Sequence, residues 1–132
     1  MRIATWNVNS VRQRLDHLVS WLGEASPDIC CLQELKCTKE TFPRLEIEAL
    51  GYNVEILGQK TFNGVAVLSK RRIDEVTRGL AGDEADEQAR FIEIEVSTPK
   101  GALKIVSVYA PNGNPIGTDK FPYKLGFLDR LI

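Results

Sequence analysis

The run Ile29-Cys30-Cys31-Leu32 is uninterrupted apolar sequence, and it breaks off abruptly at Gln33-Glu34-Leu35-Lys36. A short apolar run bounded by Asp28 and Lys36 predicts a buried strand, with Glu34 where that strand leaves the core. In open α/β sheets, ligands are held at such strand exits. A carboxylate there needs a partner, because an unpaired buried charge is expensive. Two roles fit Glu34 at this point: a metal ligand or catalytic acid, or an ordinary strand-end acid paired with Lys36.

Composition narrows the class of protein. A chain of 132 residues, 43% hydrophobic and 27% charged, has the profile of one soluble globular domain with a real core. Its 17 Lys and Arg nearly balance its 18 Asp and Glu, for a formal net charge of -1, so a nucleic-acid surface has to be a local patch. That argues against binding DNA by bulk charge and leaves room for an enzyme that carries a divalent ion. Cys30, Cys31 and Cys37 have no zinc-like spacing, and an odd number fits a disulfide framework poorly. Cys30 and Cys31 read as small buried strand residues in a reducing compartment, which predicts a cytoplasmic location. Met1 to Trp6 enters a strand-like run directly, so neither a signal peptide nor a spanning helix is expected.

Taken in order, Ile3 to Val8 predicts the first strand, with Asn7-Val8-Asn9-Ser10 as its polar exit. Ser10 and Gln13 have capping-box spacing. Val11, Leu15, Leu18, Val19 and Leu22 then recur at helical spacing, predicting a helix from Val11 to Glu24 with Trp21 flanking its buried face. Ala25-Ser26-Pro27-Asp28 ends it. Strand, helix and strand joined by short links imply a right-handed crossover and a parallel pair, which puts the exits at Asn7 and Glu34 on one sheet edge. Pro43 opens a short helix that stops near Leu50-Gly51. Tyr52 to Leu57 and Gly64 to Ser69 read as a hairpin, with Asn63-Gly64 as its turn signal. Lys70-Arg71-Arg72 is the one dense basic cluster, either a solvated strand end or a phosphate contact. Arg78 to Gln88 reads as a surface loop whose acidic run lacks the spacing of an EF-hand. Phe91 to Val96 and Leu103 to Tyr109 read as antiparallel strands around Thr98-Pro99-Lys100-Gly101. Phe121 to Ile132 has Leu125, Leu128 and Ile132 on one helical face and stops in mid-helix, as expected of a sequence cut short.

No repeat or linker divides the chain, so the reading is one α/β unit with a mixed sheet. Its strand exits gather Asn7, Glu34, and Tyr109 with Asn112. Each has a plain structural account: Asn7 caps a turn, Tyr109 is a half-buried strand residue, and Asn112 belongs to a Pro-Asn-Gly turn. Their joint appearance at successive exits is what points to a site.

Four segments carry a resemblance: Thr5-Trp6-Asn7-Val8-Asn9-Ser10, Leu32-Gln33-Glu34-Leu35-Lys36, Phe62-Asn63-Gly64-Val65-Ala66-Val67-Leu68-Ser69 and Val108-Tyr109-Ala110-Pro111-Asn112-Gly113. In this order they resemble the amino-terminal half of the exodeoxyribonuclease III (AP endonuclease) family, within the endonuclease/exonuclease/phosphatase superfamily. Val11 to Leu15 and Thr38 to Pro43 point to the same branch. The resemblance implies half of a deoxyribonuclease I-like four-layer α/β sandwich, built in full from two similar sheet-and-helix halves with the site between their strand ends. It implies a nuclease that degrades DNA 3′ to 5′ from duplex ends, cleaves beside abasic sites and removes 3′ phosphates, using Mg²⁺ or Mn²⁺. By motif position, Glu34 and Asn7 fall at the metal, Tyr109 is the active-site tyrosine, Asn112 is a phosphate contact, Arg90 is a DNA or scaffold contact, and Lys36 supports the polar network behind the metal. The chemistry is consistent: a hard cation on oxygen ligands suits a phosphodiester, and a phenol can donate to a phosphorane oxygen whose charge grows.

The family's Asp-x-Asn motif, its later Asp-containing motif and its closing Ser-Asp-His motif have no counterpart here. The single histidine, His17, falls on the predicted helix surface and cannot serve as the general base. The expectation is therefore the amino-terminal part of one domain, residues 1–132, inactive alone and prone to self-association through a bare sheet face, with duplex DNA as partner of the whole protein and no membrane role. The alternatives are a non-catalytic binding or folding module, or a phosphatase or phospholipase of the same superfamily.

Overall fold

The computed structural model describes residues 1–132, with elements in the order β1 (Ile3–Asn7), α1 (Leu15–Ala25), β2 (Ile29–Gln33), α2 (Arg44–Glu48), β3 (Asn53–Leu57), β4 (Val65–Ser69), β5 (Ile73–Arg78), β6 (Phe91–Thr98), β7 (Gly101–Val108) and α3 (Lys120–Leu131). Strands β2 and β4 are buried along their whole length, so each must bury both of its faces. Side chains alternate across a strand, and these two strands therefore feed two separate cores. Cys30, Leu32, Ala66 and Leu68 join Leu18 and Leu22 of α1 and Ile47 of α2 in the first. Ile29, Cys31, Val65 and Val67 meet Ile92, Ile94, Val96 and Ile105 of β6 and β7 in the second. The result is a layer of helices, a mixed sheet ordered β1-β2-β4-β3, and an antiparallel sheet ordered β5-β6-β7. Each fully buried aliphatic side chain contributes about 1.5–3 kcal/mol, so these two cores dominate the stability of the chain.

β1 and β2 are parallel, with Ile3 opposite Ile29 and Asn7 opposite Gln33, as the strand-helix-strand reading requires. β4 runs antiparallel to both β2 and β3, so the predicted hairpin is present. Between the two sheets, Gln33 is buried but donates through Nε2 to Thr5 Oγ1 (3.0 Å) and to Ser107 Oγ (3.1 Å). Ser107 in turn donates to the Leu32 carbonyl at 3.0 Å. A satisfied polar bridge thus pins the two sheets together directly beneath the exit of β2.

Several expectations need correction. The first helix begins at Leu15, not Val11, because Asn9 and Ser10 adopt left-handed backbone (φ 44° and 84°) and the Val11 amide donates to the Leu35 carbonyl. Ser10 Oγ does accept from the Gln13 amide at 3.3 Å, but the capping box is left open since the Ser10 amide is committed to the Glu34 carbonyl. β5 was hidden in the sequence: a register shift between Ile73 and Glu75 puts its packed residues Ile73 and Val76 three apart, which defeats a period-two pattern. On α3, Phe127 is the buried residue, whereas Leu125 and Ile132 are exposed; the helix docks on the polar 79–90 loop through Tyr123 and Arg130. The two sheets also belong to this one chain and cover each other, so no whole apolar sheet face is bare. Strand edges stay open, among them β1, where Ile3 is 52% exposed. Finally, Lys70-Arg71-Arg72 follows Ser69, which pairs with Ile29 at the start of β2, so this cluster lies at the opposite end of the sheet from Glu34 and cannot contact a phosphate there.

Candidate active site

Five chain segments converge where β1, β2 and β7 end, and backbone hydrogen bonds lace them together. The Ser10 amide donates to the Glu34 carbonyl (2.8 Å), Leu35 to Gly64 (3.1 Å), Lys36 to Asn63 (2.9 Å), Gly64 to Ala89 (2.9 Å), and Tyr109 to Arg90 (2.8 Å). To turn sharply enough for this, Asn9, Ser10, Glu34, Lys36, Thr61 and Asn63 all take positive φ without being glycine. Such conformations cost of order 1 kcal/mol or more each and persist only where the surroundings enforce them. Gly64 completes the belt: its φ is +95°, and a Cβ there would lie 2.9 Å from the Cβ of the fully buried Leu35.

On this frame Asn7 Nδ2 donates to Glu34 Oε1 at 2.9 Å, while Asn7 Oδ1 accepts from the Asn9 amide at 3.1 Å. Lys36 Nζ donates to Asn9 Oδ1 at 2.5 Å and stands 3.7 Å from Glu34 Oε2. Burial works against ionisation of Glu34, but the Asn7 amide, the Tyr109 phenol and the Lys36 charge outweigh it and hold the carboxyl below its usual range. Tyr109 feels the converse: burial and the Glu34 carboxylate push its phenol up, against a smaller opposing pull from Arg90. The two shifts have one sense: an anionic Glu34 and a protonated Tyr109 favour each other.

Arg90 lies over the Tyr109 ring, its guanidinium carbon 4.9 Å from the centroid, and its Nη1 donates to the Tyr109 carbonyl at 3.1 Å. A groove of about 460 Å³ opens beside them, lined by Phe62, Asn63, Arg90, Tyr109, Asn112 and Lys120 among others. The structure thus brings Asn7, Glu34, Lys36, Tyr109 and Arg90 into one connected cluster. Asn112 borders the same groove, but its Oδ1 accepts from the Asn114 amide at 2.8 Å, the turn role that its Pro-Asn-Gly setting allowed. Sequence reasoning passed over Asn9, which joins Lys36 to Asn7, and Gln59, whose Oε1 accepts from both Asn63 Nδ2 (3.0 Å) and the Ala89 amide (2.9 Å). Neither carries a local signal beyond being polar near a turn.

The donors available for a cation are hard oxygens, the Glu34 carboxylate and the Asn7 carboxamide, and no cluster of three His, Cys, Asp or Glu side chains forms anywhere in the chain. This set fits a strongly hydrated ion such as Mg²⁺, which is commonly held by one or two carboxylates with water and substrate phosphates. No helix is long and apolar enough to cross a membrane.

The chain is 36% identical over 128 residues to exodeoxyribonuclease III of Haemophilus influenzae, a match covering 96% of this chain and 48% of that protein. Among solved structures, a 3′ phosphatase NExo from Neisseria bound to product DNA hairpin superposes with a TM-score of 0.93 at 37% identity, covering 99% of this chain and 49% of the other. An AP endonuclease from Archaeoglobus fulgidus gives 0.90 at 38% identity, with 99% and 49% covered. The chain spans about half the length of these relatives, and its fold, a mixed sheet and an antiparallel sheet with helices, is half of their deoxyribonuclease I-like sandwich. The sequence of residues 4–131 also matches the model of the Endonuclease/Exonuclease/phosphatase family, and with the layering and the knotted strand exits it makes this chain a member of that family.

Proposed function

We propose that this chain is the amino-terminal part of a single domain of a metal-dependent DNA repair nuclease, a 3′-5′ exodeoxyribonuclease that also cleaves beside abasic sites. The observation that carries the reading is the Glu34 carboxylate, set on left-handed backbone at the strand exit and held by side chains, Asn7 Nδ2 at 2.9 Å and Lys36 Nζ at 3.7 Å. Glu34 and Asn7 are the groups that would hold Mg²⁺ or Mn²⁺, which when bound neutralises phosphate charge and acidifies water. The rest is work for side chains. Tyr109, held in its protonated form, donates to a phosphate oxygen that gains charge in the transition state. Arg90 and Asn112 line the groove beside it and bind the backbone of duplex DNA, at an abasic site or a 3′ end. Lys36 orients Asn9 and Glu34 and serves as site support. His17 is exposed on α1 and is no general base for this cluster, so proton transfer from water falls to groups outside residues 1–132. Three free, buried cysteines support a reducing, cytoplasmic setting.

The test is cleavage of an abasic-site duplex in Mg²⁺ and Mn²⁺, with and without EDTA, by the full-length protein and by residues 1–132 alone. EDTA-sensitive cleavage by the former and none by the latter is expected. Cleavage by residues 1–132 at the rate of the full-length protein would overturn the division of the site between the two parts, and cleavage unaffected by EDTA would overturn the metal. Light scattering on residues 1–132 checks the accompanying expectation of self-association.

A further inference from the structure

The proposed mechanism gives no task to Tyr123 or Asp86, yet both are held unusually firmly for a loop and a helix at the surface. Asp86 Oδ2 accepts from the Tyr123 hydroxyl at 2.7 Å and from Arg130 Nη2 at 2.7 Å, in an ion pair whose side chains are 13% and 15% exposed. The Tyr123 ring stacks on Phe127 with centroids 6.2 Å apart and planes at 22°. Its other neighbour is Arg90, whose guanidinium carbon lies 5.6 Å from the Tyr123 centroid and 4.9 Å from that of Tyr109. Arg90 is thereby in contact with two aromatic rings, one on α3 and one at the end of β7, while its Nε is held by Gln88 Oε1 at 2.8 Å and its Nη1 by the Tyr109 carbonyl at 3.1 Å. A guanidinium is attracted to the faces of both rings and has a fixed planar shape, so displacing one ring shifts the place of the other.

We propose that Tyr123 is a positioning residue: its ring, stacked on Phe127, backs the Arg90 guanidinium and through it sets where the Tyr109 phenol stands relative to Glu34. The proposal rests on the reading of Tyr109 given above. A purely structural role for Tyr123, fastening α3 to the 79–90 loop, makes different predictions. If positioning is the task, the ring matters to the site and the hydroxyl matters only to stability.

The experiment compares Tyr123→Leu and Tyr123→Phe in the full-length protein, each alone and with Tyr109→Phe, reading kcat and KM on an abasic-site duplex, the melting temperature, and the Tyr109 ring signals in ¹³C-tyrosine-labelled protein. Tyr123 is only half-buried, so leucine leaves the helix foldable around Phe127. Tyr123→Leu should lower kcat about tenfold with KM changed by less than about twofold, the scale expected when a reacting group is displaced by a fraction of an ångström. It should move the Tyr109 signals, and its effect on kcat should vanish when Tyr109 is already phenylalanine. Tyr123→Phe should melt at a lower temperature yet keep kcat within about twofold. Unmoved Tyr109 signals in Tyr123→Leu, an equal loss of kcat in Tyr123→Phe, or an undiminished loss in the double variant would each overturn the proposal. Native-rate cleavage by Tyr109→Phe alone, with the signals still moved by Tyr123→Leu, would remove the catalytic reading of Tyr109 and leave the positioning intact.

Discussion

Strand β2 has a carboxylate just outside each end, Asp28 before it and Glu34 after it, and the two are tied down in different ways. Asp28 Oδ2 accepts from the Arg2 amide at 2.7 Å, while its own amide donates to the Arg2 carbonyl and its carbonyl accepts from the Lys70 amide, both at 2.9 Å. That closes a ring of backbone partners. Its carboxyl is lowered by the Arg2 amide first, which outweighs desolvation, with further help from the terminal amino group, Lys70 and Arg71. Glu34 is lowered as well, but by neutral and cationic side chains, and from a left-handed backbone with φ 54°. A depressed titration is therefore common to both and does not mark a site. The mark is a carboxylate whose partners are side chains that can be re-aimed toward a ligand, on backbone that the fold must force into place.

The largest expected effect separates the two ends outright. Glu34→Ala should reduce metal-dependent cleavage by the full-length protein at least about a hundredfold, with calorimetric Mg²⁺ binding lost and the fold retained. Asp28→Ala should do the reverse, lowering the melting temperature while cleavage and Mg²⁺ binding stay within about twofold of native. Unchanged Mg²⁺ binding in Glu34→Ala would break the comparison. Next in size, Tyr109→Phe keeps the ring under Arg90 but removes the donor, for a loss on the order of 3 kcal/mol or roughly a hundredfold in single-turnover rate. A native rate would make the hydroxyl a mere neighbour of Glu34.

The forced backbone can be tested without touching a polar side chain. Gly64→Ala puts a Cβ 2.9 Å from that of Leu35 on a residue with φ +95°, and Leu35 has no room to yield. The cost should be about 2–4 kcal/mol in denaturant unfolding, part conformational and part overpacking. A loss below about 1 kcal/mol would mean the belt at this end is softer than its hydrogen bonds indicate.

How much of this was legible in the chain follows from the same contrast. The parallel β1-β2 pair, the hairpin and the exits at Asn7 and Glu34 could be read because strands β2 and β4 are apolar up to their last residues, Gln33 and Ser69, and the punctuation by Pro27 and Gly64 is local. Joining Tyr109 to Glu34 required motif resemblance, since residues 75 positions apart meet only through the sheet-on-sheet packing that Ser107 and Gln33 stitch together. β5 and the docking face of α3 stayed hidden for a physical reason. Their packing relies on a bulge in one case and on Tyr123 and Arg130 rather than aliphatic residues in the other, and neither leaves a hydrophobic period to count.

The smallest effect, and the finest distinction between the two carboxylates, is in the acid limb of stability. Both titrate below their ordinary values near pH 4 when folded. Between the folded and ordinary values the unfolded chain binds protons that the folded chain does not, so each contribution is complete above that window and is lost as the pH falls through it. Asp28→Asn and Glu34→Gln should therefore each flatten the decline of melting temperature below pH 5. Magnesium then tells them apart. An ion held by Glu34 competes with protons there and nowhere else in the chain, so adding Mg²⁺ should extend stability to lower pH in the native protein and in Asp28→Asn. In Glu34→Gln the same addition should do nothing. If Mg²⁺ shifted the acid limb of Glu34→Gln as far as that of the native protein, the cation would be binding elsewhere, and the two ends of β2 would differ only in how their carboxylates are packed.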